Sequence, residues 1–200
     1  MDINIWNGLK NGLKKMINKI INYFNRVKWN HLKWKKIGKS HVGKNFAIIS
    51  PDRISIGENF YAEDNLKIQA WKTYQNQTFN PFIDIGANVS MMENCHISCC
   101  NRITIGDGCL FGANVFITDN FHGDNSNEQL LIPPINRPLH VKGEVKIGKN
   151  VWVGRNVCIT PGVCVGDYSV IGANAVVTKD IPDFSVAVGV PAKIVDKKLE

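Results

Sequence analysis

Residues 147–177 read IGKNVWVGRNVCITPGVCVGDYSVIGANAVV, and this stretch decides the fold. An apolar residue returns at every sixth position without a gap, and glycine directly follows four of the six. These six residues are Ile147, Val153, Ile159, Val165, Ile171 and Val177. A period of six matches neither the period of an α-helix nor the simple alternation of a strand. It predicts a repeating coil, with three hexads in each turn of a triangular solenoid of short parallel strands.

The same spacing continues toward the N-terminus. Four more triplets fit it: Val42, Ile48, Ile54; Ile56, Ala62, Ile68; Ile85, Met91, Ile97; and Ile105, Phe111, Ile117. Two steps in this alignment are irregular, of two residues at 54–56 and of eight residues at 97–105. All eighteen inward positions are apolar and fifteen are Ile or Val, which pack well on a pleated surface. We therefore predict an all-β fold, a left-handed parallel β-helix of about six coils.

We expect three segments along the chain. Residues 1–40 are predicted to be a basic amphipathic helical segment, because apolar residues recur there at helical spacing with lysines largely between them. Residues 41–182 form the β-helix, with loop insertions at 71–82 and 123–146. Residues 183–200 form a C-terminal cap over the last coil. Long insertions in such folds usually have a function.

The net charge of +7 is concentrated at one end of the chain. Residues 1–39 hold ten Lys/Arg and a single acidic residue, Asp2, so they carry +9 and leave about −2 for the remainder. Basic residues confined to one terminal segment argue against a nucleic-acid partner. The apolar stripe of residues 1–38 packs on the protein itself or, alternatively, makes a peripheral contact with an anionic membrane surface.

We expect a cytoplasmic protein, with attachment to the inner face of the cell membrane as the alternative. The sequence has no apolar run long enough for a membrane span and no signal-peptide pattern. The six cysteines form no C-x-x-C pair. We therefore expect reduced cysteines and no metal site.

Residues 147–195 resemble the C-terminal coils of the hexapeptide-repeat acyltransferases. The resemblance is closest to their sugar O-acetyltransferase branch, which includes galactoside and maltose acetyltransferases and enzymes that decorate bacterial surface polysaccharides. It spans about residues 42–195 and is strongest from residue 103 onward. It implies acetyl-CoA as co-substrate, a sugar acceptor, and a homotrimer with active sites between neighbouring subunits.

The resemblance places the catalytic histidine at His122, in the segment ITDNFHGD at the start of the longest insertion. Acetyl transfer to a hydroxyl needs a base, and an imidazole, with an ordinary pKa of about 6.5, suits that role at neutral pH. We expect direct transfer, with a backbone N–H holding the developing oxyanion. Candidate acceptor contacts are Asp119, Asn120 and His96. Asp and Asn in a turn more often satisfy nearby backbone groups, which leaves these roles open.

The resemblance also maps six positions to the cofactor groove: Trp152, Arg155, Ala173, Thr178, Lys179 and Lys193. The two lysines can pair with the phosphates of CoA, and the small Ala173 lets the pantetheine approach the backbone. Arg155 departs from the small residue common at its place. Met92 stands where galactoside acetyltransferase-like sequences place an asparagine that meets substrate.

Three other functions stay open. An N-acetyltransferase acting on an amino nucleotide sugar differs only in its acceptor. A β-helix carbonic-anhydrase-like hydrolyase needs three histidines on zinc, and His96, His122 and His140 lack the close H-x-x-x-x-H pair of such enzymes. A non-catalytic β-helix adaptor, docked through its basic helix, would bind no acetyl-CoA.

Overall fold

The computed structural model describes residue 16 and residues 27–197. Most of the predicted helical segment at 1–40 therefore lies outside the described residues. Within it, residues 27–30 are helical, whereas Lys36–Ile37 and Ser40–Val42 are already strands of the coils. The β-helix thus begins before residue 41, where the sequence places its start.

The described chain is a left-handed parallel β-helix of six coils with three short strands each. The first two coils contain β1 (Lys36–Ile37), β2 (Ser40–Val42), β3 (Ala47–Ile49), β4 (Ile54–Ile56), β5 (Phe60–Ala62) and β6 (Lys67–Ala70). An inserted hairpin follows, with β7 (Thr73–Tyr74) and β8 (Gln77–Thr78). Coils 3 and 4 contain β9 (Phe82–Ile85), β10 (Ser90–Met91), β11 (His96–Cys99), β12 (Arg102–Ile105), β13 (Leu110–Phe111) and β14 (Phe116–Thr118).

A second insertion then interrupts the coils. Its ends form an antiparallel ribbon of β15 (Asn120–His122) and β16 (Leu139–Val141), and between them lie helix α1 (Asn127–Leu130) and a 3-10 turn (Pro134–Asn136). Another 3-10 turn (Pro51–Arg53) connects the first two coils. The remaining strands are β17 (Val145–Ile147), β18 (Trp152–Val153), β19 (Cys158–Ile159), β20 (Cys164–Val165), β21 (Val170–Ile171), β22 (Val176–Val177), β23 (Ser185–Val188) and β24 (Lys193–Lys197).

Equivalent strands of successive coils pair in register and form three parallel sheets. Ile97 of β11, for example, lies opposite Ile68 of β6 and Ile117 of β14. The hexad residues therefore stack in continuous columns inside the prism. Sixteen of the eighteen predicted inward positions are buried, and Val42 and Ile48 pack partly buried against the same core.

The glycine that follows many inward residues is required by the close stacking of the coils. A Cβ atom on Gly106 would lie 2.6 Å from the carbonyl oxygen of Gly148 in the next coil. Any other residue would push the two backbones apart. The hexad pattern thus reflects two requirements. The core needs an apolar residue, and the close stacking of the coils needs a glycine.

The two irregular steps of the sequence alignment have a structural cause. In the first sheet, β4 and β12 each place two residues inward, Ile54 with Ile56 and Ile103 with Ile105. The eight-residue step is therefore a normal step of six to Ile103 followed by two more residues. The first coil consists of β1, β2 and β3, so Ile54 opens coil 2 instead of closing coil 1.

Both ends of the described β-helix are covered. At the N-terminal end, buried Trp29 packs on Trp34, Phe46 and Phe60, with ring centroids 4.5, 5.3 and 6.2 Å away. At the other end, β23 continues the second sheet beside β21, and β24 returns antiparallel to it, in the place predicted for the cap. Ala187 of β23 is fully buried under the last coil.

One corner of the prism, between the second and third sheets, carries a ladder of asparagines that we call the Asn corner. Six of them adopt positive φ and link side chain to side chain through successive coils: Asn45, Asn65, Asn94, Asn114, Asn156 and Asn174. Asparagine tolerates the left-handed conformation better than most residues. This corner is regular through all six coils.

Candidate active site

Both insertions leave the β-helix between a third-sheet strand and the first-sheet strand of the next coil, an edge that we call the insertion corner. Residues 71–81 connect β6 to β9, and residues 119–144 connect β14 to β17. In the coil between them, two residues, Cys100 and Asn101, suffice to connect β11 to β12. The two insertions therefore stand on either side of a two-residue turn.

Hydrogen bonds between side chains of the hairpin and the backbone of the second insertion hold the two insertions together. Gln77 accepts a hydrogen bond from the N–H of Leu139 at 2.6 Å and donates one to the carbonyl of the same residue at 3.0 Å. Gln75 Nε2 and the Tyr74 hydroxyl both donate to the carbonyl oxygen of Ile135, at 2.8 and 2.6 Å. The hairpin therefore anchors the ribbon that carries His122.

His122 ends β15, opposite Leu139 of β16, and its side chain is exposed. Its Nδ1 lies 3.4 Å from the Tyr74 hydroxyl oxygen, and the two rings meet edge to face with centroids 5.5 Å apart. Gly123 follows with a φ of +89°, and a Cβ there would lie 2.8 Å from Gln129 Oε1. The chain can turn directly after the histidine because this residue is glycine.

A cleft of about 550 Å³ lies between the insertions, over the two-residue turn. It is lined by three residues of the hairpin side, three of the turn and four of the ribbon side: Thr78, Phe79, Asn80; Cys100, Asn101, Arg102; Leu139, His140, Val141, Glu144. The guanidinium Nε of Arg102 lies 3.4 Å from a carboxylate oxygen of Glu144. Convergent polar groups beside apolar side chains are typical of a site for a polar small molecule.

Asp119, predicted to contact the acceptor, is 0% exposed. Its carboxylate accepts hydrogen bonds from the N–H groups of Cys100 at 2.7 Å and Asn101 at 2.8 Å, and from the Cys99 thiol at 3.3 Å. The two N–H donors belong to the two-residue turn one coil below, and Cys99 ends the strand just before that turn. Asp119 therefore fixes that turn and the root of the second insertion, which places it away from direct contact with an acceptor.

Asn120 is half-buried beside it. Its Nδ2 donates to the carbonyl oxygen of Ser98 at 3.3 Å and to Asp119 Oδ1 at 3.0 Å. The amide donors of Asn120 are thus turned toward the third sheet. Its side chain stiffens the first residue of β15, two positions before His122.

His96 lies on the outward side of β11, between Lys67 and Phe116 of the neighbouring strands. Its Nε2 is 2.8 Å from Gln69 Oε1, and its ring centroid is 5.0 Å from that of Phe116. Burial, with a smaller contribution from Lys67, lowers the pKa of His96, so the ring is neutral at pH 7. Among the described contacts, none joins His96 to His122.

The side chains of the described residues do not form a metal site. In residues 27–197, no three His, Cys, Asp or Glu side chains cluster so as to hold a metal ion. Burial raises the pKa of Cys95 to about 11 and that of Cys100 to about 12, so both stay protonated thiols at neutral pH. Over the same part of the chain, no helix has the length and apolar character needed to cross a membrane.

Comparisons with known proteins place this architecture in a family. The family described as bacterial transferase hexapeptide (six repeats) matches residues 144–179, and the hexapeptide repeat of succinyl-transferase matches residues 102–118. WbbJ of Escherichia coli (strain K12), named as a candidate lipopolysaccharide biosynthesis O-acetyl transferase, is 37% identical over 148 residues, 72% of this chain and 71% of that protein. The chain belongs to the hexapeptide-repeat acyltransferases. Galactoside O-acetyltransferase of the same strain is 34% identical over 161 residues, 78% of this chain and 70% of that enzyme.

Solved structures share the fold of this hexapeptide-repeat acyltransferase. A maltose O-acetyltransferase from Clostridium difficile 630 is 28% identical, with a TM-score of 0.59 over 93% of this chain and 84% of that one. A galactoside acetyltransferase in complex with coenzyme A is also 28% identical, with a TM-score of 0.54 over 93% and 81%. A mutant of AntD, an N-acyltransferase from Bacillus cereus, has a TM-score of 0.66 over 86% and 88% at 19% identity, which is a likeness of fold alone.

The six positions predicted for the cofactor groove lie on the surface of this hexapeptide-repeat acyltransferase, on the second sheet, on β24 and at two corners. Trp152 is 55% exposed on the outward side of the second sheet, and Arg155 and Ala173 follow at the Asn corner in successive coils. Thr178 and Lys179 lie at the insertion corner, two coils beyond His122. Lys193 begins β24, opposite Val188. A single chain therefore does not gather these residues around one site.

Sequence reasoning missed the hairpin's part in the site. Tyr74, Gln75 and Gln77 lie in an insertion whose sequence carries no hexad and no catalytic or cofactor-binding motif. One signal was available: each insertion follows the third inward residue of its coil, Ile68 or Ile117, so both had to leave the same corner. That spacing predicts proximity of the insertions, although it does not predict which side chains touch.

Proposed function

We propose that this acyltransferase moves the acetyl group of acetyl-CoA to a hydroxyl of a sugar in a surface-polysaccharide or lipopolysaccharide precursor, with His122 as general base. The observation that carries the proposal is the exposed imidazole of His122 on a ribbon that borders a polar cleft of about 550 Å³. The names of WbbJ and galactoside O-acetyltransferase support a sugar hydroxyl as the acceptor.

The geometry suits direct transfer. The imidazole takes the hydroxyl proton as the acceptor oxygen attacks the thioester carbonyl, the carbon–oxygen bond forms, and the carbon–sulfur bond breaks. The imidazolium then returns the proton to the sulfur leaving group. Direct transfer requires the exposed ring of His122, held on a paired strand, to reach both the acceptor and the thioester in one complex.

The acetyl-CoA groove is proposed to form between subunits of a homotrimer. Trp152, Arg155 and Ala173 lie near one corner of a chain, and Thr178 and Lys179 lie at the other, so a neighbouring chain has to complete the groove. The outward side of the second sheet carries exposed Leu110 and Trp152 side by side, with exposed Tyr61 beyond Ser90 in the same column, and such packing would cover them. Lys179 and Lys193 are exposed cations available for CoA phosphates.

The cleft favours a sugar as the acceptor. Asn101, Arg102, His140 and Glu144 present amide, cationic, imidazole and carboxylate groups, and Phe79 adds an aromatic ring. Sugars are bound by such combinations of hydrogen-bonding groups with an apolar surface. The same groups would also accept an amino sugar, so the experiment includes both acceptors.

The decisive experiment measures thiol release from acetyl-CoA with hydroxyl and amino sugars for the wild type, His122→Ala and the control His31→Ala. His31 is an exposed histidine outside the insertions. We expect His122→Ala to lose on the order of 10²–10⁴-fold in turnover, and His31→Ala to keep the wild-type rate. Equal rates for all three proteins would reject His122 as the base. Transfer to amines alone would make the enzyme an N-acetyltransferase, and a failure to bind acetyl-CoA by calorimetry would favour an adaptor.

We also propose that the basic N-terminal segment attaches the enzyme to anionic lipid at the inner face of the membrane. Residues 1–26 contain five Lys or Arg and one acidic residue, Asp2. Because Trp29 is buried in the first coil, a test deletion should end at residue 26 and leave Trp29 in place. Flotation with phosphatidylglycerol vesicles should fall in that deletion, while activity on a small acceptor persists. Unchanged flotation would reject the attachment.

A further inference from the structure

The hydroxyl of Tyr74 contacts both a backbone carbonyl and the proposed base, His122. The hydroxyl oxygen lies 2.6 Å from the carbonyl oxygen of Ile135 and 3.4 Å from Nδ1 of His122. A tyrosine hydroxyl has one proton, and a carbonyl oxygen can only accept. The short contact therefore commits the proton of Tyr74 to Ile135, and the hydroxyl offers a lone pair to His122.

From this proton count we infer that Tyr74 is a positioning residue that holds the proton of His122 on Nδ1. A neutral imidazole with its proton on Nδ1 has an unprotonated Nε2, the nitrogen that is then free to act as base. The inference rests on the proposed function in that it names the nitrogen that takes the acceptor's proton. Apart from Tyr74, no described residue makes a hydrogen bond to the His122 ring.

The hairpin is built to keep Tyr74 in this place. Gln75, at a φ of +50°, donates to the same Ile135 carbonyl, and Gln77 pairs with both backbone groups of Leu139. Leu139 is the residue opposite His122 in the ribbon. The strand of the base and the turn of the hairpin are thus locked to each other, with the Tyr74 hydroxyl between them.

The distance of 3.4 Å is long for a hydrogen bond, and catalytic hydrogen bonds commonly tighten when substrate binds. The edge-to-face contact of the rings already sets the orientation of the imidazole. Formation of the imidazolium would strengthen the bond, since Nδ1–H becomes a charged donor to the Tyr74 oxygen. The hydroxyl thus supports both the resting tautomer and the protonated form that transfer requires.

The test reads the tautomer directly, by two-bond ¹H–¹⁵N correlation on protein labelled with ¹⁵N-histidine, with His122 assigned from the spectrum of His122→Asn. At a pH where the ring is neutral, we expect the wild type to show the Nδ1–H form. Tyr74→Phe keeps the aromatic ring and removes the lone pair, so the population should move toward Nε2–H. Asn76→Ala, at the exposed turn of the same hairpin, should keep the wild-type tautomer.

Turnover gives a second measurement. Tyr74→Phe should lose roughly threefold to tenfold in kcat with the KM for acetyl-CoA unchanged, and Asn76→Ala should keep its kcat. An Nε2–H tautomer in the wild type, or no change of tautomer in a folded Tyr74→Phe, would overturn the inference. The NMR result does not depend on turnover, so an active His122→Ala would refute the proposed function and leave the tautomer assignment to stand or fall separately.

Discussion

The Asn corner and the insertion corner lie at two edges of the same third sheet, and they are built by different rules. At the Asn corner every coil repeats one residue type in one conformation, and the asparagine side chains of neighbouring coils hydrogen-bond to each other. At the insertion corner, the chain leaves the repeat twice, and the contacts that result are side chain to backbone and specific to single residues. The repeat supplies rigidity, and the departure from it supplies groups that can perform chemistry.

The largest effect is expected inside the coils. Phe111 is fully buried in the inward column, so Phe111→Ala should lower the free energy of unfolding by about 3–5 kcal/mol in urea titrations. Leu131, in the second insertion, is 87% exposed. Leu131→Ala should change the free energy of unfolding by less than about 0.5 kcal/mol. Similar costs for the two variants would mean that the hexad does not set the core.

The next effect is expected at the root of the second insertion. Asp119→Ala leaves the N–H groups of Cys100 and Asn101 without their acceptor, which should cost about 2–3 kcal/mol in the free energy of unfolding. Asp119→Asn keeps one acceptor oxygen and should cost less. We also expect turnover to fall in Asp119→Ala, because β15 begins at the next residue. A variant of wild-type stability would contradict the structural role of this carboxylate.

A smaller and local effect is expected where the insertions meet. Gln77→Ala removes both hydrogen bonds to Leu139, so the amide of Leu139 should exchange its hydrogen faster while the amides of the coils keep their protection. Turnover should fall several-fold as the ribbon loosens. Asn76→Ala, at the exposed turn of the same hairpin, serves as control and should match the wild type. Loss of protection throughout the coils would show that the hairpin is part of the scaffold.

The smallest effect concerns His96 and pH. Burial lowers its pKa, so the unfolded chain binds more protons than the folded chain once the pH falls below the ordinary value of about 6.5. The stabilising contribution is therefore complete above that pH and is lost as the pH falls toward the folded pKa. His96→Gln should show a smaller drop in Tm between pH 7.5 and pH 5.5 than the wild type. An equal drop would mean that His96 titrates alike in both states.

The sequence predicted the coils well, because one side chain in six has to be apolar wherever coils stack. It also located His122 at the start of an insertion. It left the role of Asp119 open, since a carboxylate beside a candidate base looks the same in sequence whether it faces solvent or caps a turn one coil below. Tyr74 and Gln77 hydrogen-bond to backbone groups about sixty residues away. Every residue carries such groups, so a sequence pattern does not indicate which of them a side chain will meet.

We propose that the coils form a scaffold and that the insertion corner carries the chemistry. The turn at Cys100 and Asn101 offers a direct test, because it spans the same corner in two residues. Residues 71–81 can be replaced by a two-residue Ser-Asn turn, and the variant's unfolding midpoint, CoA binding and acetyl-transfer rate measured together. We predict an unfolding midpoint and CoA affinity close to wild type, with turnover reduced on the order of 10²-fold because the base loses its support. Wild-type turnover in the folded variant would contradict the account.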